Sequence, residues 1–405
     1  MRVLRLAWRN LWRNPTRTAI TMAAVGLNTA ILILTFGLSL GMRQEMARNA
    51  VQLVTGEVQV HALAYLSDRS LYKTLQYPEA IFQAGRALGL KMTGRTYGYG
   101  LVNLDKKSAG ALFWGIDPDA EKSVFRLAGH LESGSFLPDQ PQQGMLLGRK
   151  LARALQARVG DQLVVVVQAA DGSLGNELFI VTGILRSVSE SADRSAALIH
   201  LQDFRRLFAL EQGLHELAVS SHGRLPAADL AATLARQFTT AEFRVWEELL
   251  PQLAFMLQAL GVAWIITKTV FFLAAGVGVM NTMLMATYER RYEFGVAKAL
   301  GTSPRRLVGE IAVEAGLLGV IATFLGTGLG VAAVLVFQYL GVDTGSLAGE
   351  YTLAGVAFDP VVRPALSPAV VITPVITLWF VCVLAALYPA ITAARLDPVK
   401  ILHHA

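Results

Sequence analysis

The chain has 405 residues, 53% hydrophobic and only 16% charged, with a mean hydropathy of +0.45; soluble domains carry about 25% charged residues, so an ordinary soluble globule is excluded. The net charge of +6 would suit a nucleic-acid binder, but the basic residues cluster beside apolar runs, which argues for a membrane protein without a nucleic-acid partner. A single cysteine, Cys382, lies inside an apolar run and excludes an intramolecular disulfide framework.

Residues 1–17 carry Arg2, Arg5, Arg9, Arg13 and Arg17 at spacings of three or four, with Leu4, Trp8, Leu11 and Trp12 between them. On a helix this makes a basic stripe beside an apolar one with tryptophans, the pattern of a helix lying in a bilayer interface in contact with lipid. No charge occurs from Thr18 to Met42, and 25 residues at about 1.5 Å each cross a hydrocarbon core of about 30 Å, so 18–42 reads as a first span. It is too long for a signal peptide, and Asn28 within it is placed to bond a neighbouring helix.

Residues 43–248 read as a large α+β domain. GEVQVHALAYL, LVVVVQ and ELFIVTGIL have strand character, AADGSLGN between the last two predicts a hairpin, and LLGRKLARAL and LQDFRRLFAL read as short helices. Residues 249–268 read as an amphipathic stalk that continues without a turn into a second span, 269–288, which carries Asn281 as a packing residue. A charged segment, 289–310, follows, in which Gly301 stops a short helix, Ser303 offers a hydroxyl cap and Pro304 opens the next helix. The third span is 311–342, where Gly326 and Gly330 form a GxxxG that lets helices approach closely. A loop at 343–363 carries Asp343, Glu350, Asp359 and one basic residue, Arg363; a fourth span, 364–394, and a tail, 395–405, complete the chain. Basic residues dominate the amino-terminal segment, the 289–310 segment and the tail, so the positive-inside rule puts both termini and that segment in the cytoplasm and the large domain outside.

Chemistry is hard to find. GVAKALGTS lacks the Gly-Lys-Ser/Thr ending of a phosphate-cradling loop, and His215-Glu216 has no second histidine four residues on. His403 and His404 have the chemistry to chelate a metal but read as solvated tail residues, and no metal site, catalytic residue or cofactor is expected in this chain. A transporter-like layout without an energy source implies that energy arrives from another chain.

Several stretches carry a resemblance. Glu289-Arg290, then Glu293-Phe294-Gly295, then Lys298-Ala299-Leu300-Gly301 resembles the cytoplasmic coupling segment of the FtsX/MacB/LolCE-type ABC-transporter permeases. GIDP at 115–118, LLGRKLARALQARVGDQL, VTGIL at 181–185 and the terminal YPAITAARLDPVKIL extend the similarity over essentially the whole chain. The resemblance implies four transmembrane α-helices with a large α+β extracytoplasmic (periplasmic) domain between the first and second spans, in a bacterial inner membrane. It implies ATP and Mg bound by a partner ABC ATPase dimer, and a second permease subunit, identical or homologous. Glu289, Arg290, Glu293, Gly295, Lys298, Ala299 and Gly301 are the expected coupling residues, the charged ones touching the ATPase and the small ones packing closely. The layout is closest to the LolC/LolE lipoprotein-releasing subunits, which implies a lipoprotein substrate and a periplasmic carrier. AADGSLGN is short for the hook that recruits such a carrier, so the alternatives are the other kind of subunit, MacB-like export of peptides or toxic small molecules through an adaptor, and FtsX-like signalling to a cell-wall hydrolase.

Overall fold

The computed structural model describes residues 2–343, 352–353, 355–357 and 361–396. Glu350, Asp359, His403, His404 and the end of the terminal motif therefore lie outside the described residues. Two compact units divide the chain: a helical one from Met1–Arg43, Gln258–Thr344 and Val361–Ala405, and an α+β one from Gln44–Leu257 and Gly345–Pro360.

Among the described residues, four helices are long and apolar enough to cross a membrane. The first span belongs to helix Pro15–Asn49, which runs on as a wider π-turn, Ala50–Thr55, two turns past the charge-free run. The second is one unbroken helix, Pro251–Glu289; the third is Pro304–Leu340 and the fourth Pro368–Ala394. Many of their leucines, isoleucines and phenylalanines are exposed, the expected state for side chains that meet lipid rather than water. Between the helices, buried apolar side chains such as Leu32, Phe272 and Leu378 pack together, and small and polar residues add close contacts. A methyl on Gly326 would strike the Gly26 carbonyl and lie 2.7 Å from Thr29 Cβ, and one on Gly330 would lie 3.0 Å from Ala30 Cα. Glycine lets these two backbones touch, and dispersion over the seam replaces the hydrophobic driving force that lipid removes. Asn28 donates from Nδ2 to the Phe271 carbonyl at 3.1 Å, and Trp379 from Nε1 to the Gly316 carbonyl at 3.2 Å. Asn281, expected to pack, is exposed, and no hydrogen bond from its side chain is present among the described residues.

The amino-terminal helix, Arg2–Leu11, buries Ala7 and Leu11, while Leu4, Leu6, Trp8 and Trp12 face outward with the two indoles edge to face. The break at 12–14 is tied by the Thr18 hydroxyl, which donates to the Leu11 carbonyl at 2.5 Å.

Among the described residues, the main sheet of the α+β unit has ten strands: β1 (Val58–Ala62), β2 (Lys91–Leu104), β3 (Lys107–Ile116), β4 (Leu131–Gly134), β5 (Gly144–Leu147), β6 (Gln162–Gln168), β7 (Leu174–Leu185), β8 (Ala196–His200), β9 (Glu216–Ser220) and β10 (Ala241–Val245). Hydrogen bonding runs β2–β3–β8–β5–β7–β6 and returns from β6 to β2, closing a six-stranded circuit that leaves no edge on that side. Phe113, Leu163, Val165, Val167, Phe179, Ile199, Phe204 and Phe208 fill its interior. The amino-terminal part of β2 pairs instead with β9, which continues through β1 to β10. The 14-residue β2 thus belongs to both lobes, which is why the unit has separate cores yet is one body. The expected hairpin at AADGSLGN, 169–176, joins β6 to β7, while GEVQVHALAYL is a strand only to Ala62 and then turns. LLGRKLARAL is part strand: Leu146 and Leu147 pair in β5 before helix Arg149–Leu155 begins. At GIDP, Asp117 caps helix Pro118–Val124, accepting from the Asp119 and Ala120 amides at 3.1 Å each, with Pro118 at the first helical position.

The segment between the third and fourth spans was expected as a plain loop. Part of it is docked in the α+β unit: Val356 is buried and bridges Ser189, and the Glu190 amide donates to the Gly355 carbonyl at 3.0 Å.

Candidate functional site

The second span ends at Glu289, the backbone breaks at Arg290, and a nine-residue helix, Arg291–Ala299, follows. It is closed by a hydrogen-bonded reversal in which the Thr302 amide reaches the Ala297 carbonyl at 2.9 Å and the Gly301 amide reaches the Lys298 carbonyl at 3.0 Å. That double bond needs a left-handed residue at its centre, and Gly301 supplies it with φ at +92°. Ser303 then precedes Pro304 in an extended conformation, but its side chain makes no capping hydrogen bond, contrary to expectation; its carbonyl accepts from Arg306 and Leu307 instead.

One face of this short helix is fastened down. Phe294 and Gly295 are buried, and Phe294 packs with Leu307, Ile311, Ala390 and Ala393 from the third and fourth spans. Glu289 pairs with Arg17 and Glu293 with Arg13, so two arginines of the amino-terminal basic stripe meet this segment. Arg290 lies over the Phe294 ring at 5.1 Å and donates from Nη1 to Glu314 Oε2 at 2.9 Å. Glu314 is buried, so this is the pair that loses most if one partner is removed. A cavity of about 270 Å³ lies among Asn10, Arg13, Arg17, Thr282, Glu289, Arg290 and Glu314.

Lys298 was expected to reach outward to a partner. It turns inward: Nζ donates to the carbonyls of Ala394 at 2.9 Å and Leu396 at 2.5 Å, where the fourth span ends. A helix carboxyl end has unpaired carbonyls and partial negative charge, so an ammonium there satisfies both. The charged residues singled out by sequence are therefore engaged within the chain.

The opposite edge is bare. Tyr288, Tyr292 and Leu300 are exposed, Leu300 to 84%, together with Arg291, Ala299 and Gly301. Tyr288 and Tyr292 are one turn apart, on the two sides of the break at Arg290, and went unremarked in the sequence because tyrosine beside an apolar span is ordinary. Their spacing of four is the signal that would have found them.

Comparison with known proteins fits this arrangement. The model of the MacB-like periplasmic core domain matches residues 18–240, and that of the FtsX-like permease C-terminal region matches residues 265–398. An ABC transporter permease of Methanocaldococcus jannaschii is 20% identical over 99% of this chain and 97% of its own length. The macrolide export ATP-binding/permease protein MacB of Nitrobacter winogradskyi is 24% identical over 82% of this chain, which spans 53% of that protein. The lipoprotein-releasing system transmembrane protein LolC of Xylella fastidiosa is 24% identical over 73% of each chain. The core-domain model alone covers more than half of the 405 residues, from the first span through nearly all of the α+β unit. With four spans, an extracytoplasmic α+β domain between the first two, and the permease region after it, the chain belongs to the FtsX/MacB-like family of ABC-transporter permeases.

Proposed function

We propose that this chain is driven by a separate ABC ATPase that grips the bare edge of helix Arg291–Ala299, and that its work is the release of lipoproteins from the inner membrane. The observation behind the first part is the two-sidedness of that helix. One face is bound to the third and fourth spans by Phe294, Gly295 and Lys298 and to the amino-terminal segment by Glu289 and Glu293. The other presents two tyrosines and a leucine. A helix held this way passes a push to all the elements it touches, and a push needs a contact surface. Exposed aromatics at a helix edge are what interface anchors are made of. Two copies of the chain, or this chain and a homologue, pair across the membrane and bind two ATPase subunits, which hold the ATP and Mg. Both termini and the coupling helix lie in the cytoplasm. The second and first long helices carry the motion to the substrate side.

The lipoprotein assignment is supported by the similarity to LolC over 73% of each chain. A second reading, export of a small molecule or peptide through an adaptor, is supported by the match of the MacB core model to residues 18–240. Purification from the native membrane in mild detergent, followed by mass spectrometry, separates them. An ATPase with acylated lipoproteins upholds release, an ATPase with an adaptor replaces it by export, and the absence of any ATPase sinks both. Within the same preparation, Tyr292→Ala with Leu300→Ala should reduce ATPase recovery by roughly 30-fold or more, the effect of losing about 2 kcal/mol at an interface anchor. Unchanged recovery would place the contact elsewhere.

A further inference from the structure

The α+β unit holds a cavity of about 180 Å³ outside the six-stranded circuit, against the outward faces of β2 and β3. Tyr97, Tyr99, Leu112 and Trp114 form its floor, and Leu249 and Leu250, just before helix Pro251–Glu289, close one side. A cavity of about 150 Å³ with apolar walls is enough for one benzene ring, so the space suits a ligand of single-ring size.

Its polar end is built. Tyr65 is clamped between two imidazoles, His61 and His215, each ring centre 5.4 Å away and nearly parallel. The residue is 2% exposed, and its hydroxyl has no hydrogen-bond partner among the described residues. Tyr65, Arg69 and Glu216 line the same end of the cavity, while Asp68, also a charged neighbour of Tyr65, is paired with Lys73. Burial first, and the Glu216 charge second, push its ionisation up, so it stays protonated and able to donate. Glu216 is already occupied, accepting from Arg95 at 3.2 Å and from the Tyr97 hydroxyl at 2.8 Å. Arg95 in turn is held by Glu121. Arg69 stands at the rim, exposed and without an ion pair among the described residues, on a backbone turned left-handed with φ at +47°.

We infer that this cavity binds an aromatic carboxylate, its ring on Tyr97, Tyr99 and Trp114 and its carboxylate between the Tyr65 hydroxyl and Arg69. The free groups at the polar end are a donor and a cation, and a carboxylate answers both, whereas the one acidic group that lines the cavity is saturated. Charge-assisted bonds of this kind are the strong ones. The same chemistry occurs in a free aromatic acid and in a peptide that ends in an aromatic residue. The inference does not rest on the release reading, since a bound acid could be cargo, signal or a grip on a substrate terminus.

The test is calorimetric titration of the full chain in lipid nanodiscs, against empty nanodiscs, with benzoate, N-acetyl-phenylalanine and benzylamine. Saturable binding of benzoate without binding of benzylamine is expected. Tyr65→Phe, which keeps the ring stack, and Arg69→Gln, at the surface, should each weaken it about tenfold or more. Tighter binding of N-acetyl-phenylalanine than of benzoate would name a peptide terminus as the source, and the reverse order a free acid; both uphold the chemistry. Benzylamine binding as tightly as benzoate, no benzoate binding, or binding unchanged in both variants would overturn it.

Discussion

Arg95 is fully buried, and its donors are divided between Glu121, with Nη2 to Oε1 at 2.6 Å, Glu216 at 3.2 Å and the Val54 carbonyl at 3.0 Å. The guanidinium also lies 3.8 Å from the Phe125 ring centre. Burial alone works against its charge, yet Glu121, Tyr97 and Glu216 together hold its pKa above the ordinary arginine value. Arg95→Met should therefore destabilise the α+β unit by about 3–5 kcal/mol, because two buried carboxylates lose their counter-ion. Thermal unfolding of the variant beside one that also carries Glu121→Gln checks this, the second being the milder. His215 is the other buried group with a readable consequence. Its Nδ1 accepts from the Tyr97 amide at 2.9 Å while Nε2 faces the Leu71 carbonyl at 2.8 Å, an arrangement that requires the neutral ring. Burial lowers its pKa below the usual histidine value. The unfolded chain thus binds a proton that the folded one resists, so the contribution is full above about pH 6.5 and is lost as pH falls through the lower folded value. Melting temperature should drop between pH 7.5 and 5.5 in the parent chain and less steeply in His215→Phe. Nothing in the sequence marked Arg95, since pairing across 26 and 121 positions leaves no local pattern, and His215 stood out only as half of an absent metal motif.

Among the elements, helix Arg291–Ala299 was legible from local signals. Gly301, Pro304 and the helix formers around Glu293 are local signals, and the structure has a helix, a reversal and a new helix there. The partners of Glu289, Glu293 and Lys298 were not legible, because Arg17, Arg13 and the end of the fourth span come from positions distant in sequence. The distinction is testable by charge reversal. Glu289→Lys with Glu293→Lys should weaken coupled ATPase activity, and adding Arg13→Glu with Arg17→Glu should restore much of it. Exposed pairs of this sort are worth up to about 1 kcal/mol each, so partial loss rather than abolition is expected. Failure of the second pair to rescue would return the two glutamates to the ATPase interface. The GxxxG in the third span was visible as a motif, but its partner, the face of the first span at Gly26 and Ala30, could only be found in three dimensions. Gly326→Leu should lower the melting temperature of the solubilised chain through overpacking, by about 1–3 kcal/mol or more given that backbone stands in the way.

For the whole molecule, hydropathy and charge settled the four long helices and where the large domain is inserted, because a bilayer leaves few alternatives for a chain this apolar. They did not disclose the closed six-stranded circuit, which depends on which strands pair rather than on their composition. Nor did they show that residues after the third span return to the α+β unit at Ser189. Orientation is open to a direct measurement, since Cys382, the one native thiol, is buried and gives little background. A cysteine at Tyr292 should be labelled by a membrane-impermeant maleimide only after the membrane is opened. One at Ser173, in the exposed hairpin between β6 and β7, should be labelled on intact spheroplasts.

The seam of the first span has a further consequence for how this gene tolerates change. Gly37 lies against Val334 and the Ala365 carbonyl, and a methyl on Gly41 would meet the Arg363 carbonyl, so the close approach begun at Gly26 and Ala30 continues along the helix. Positions 26, 30, 37 and 41 fall at steps of four, seven and four, a single line along one side. In a saturation scan under selection for growth, that line should be as empty of survivors as any charged motif, while the leucines and isoleucines on the lipid side accept almost any apolar replacement. The least conspicuous residues of the span would then be its most tightly constrained.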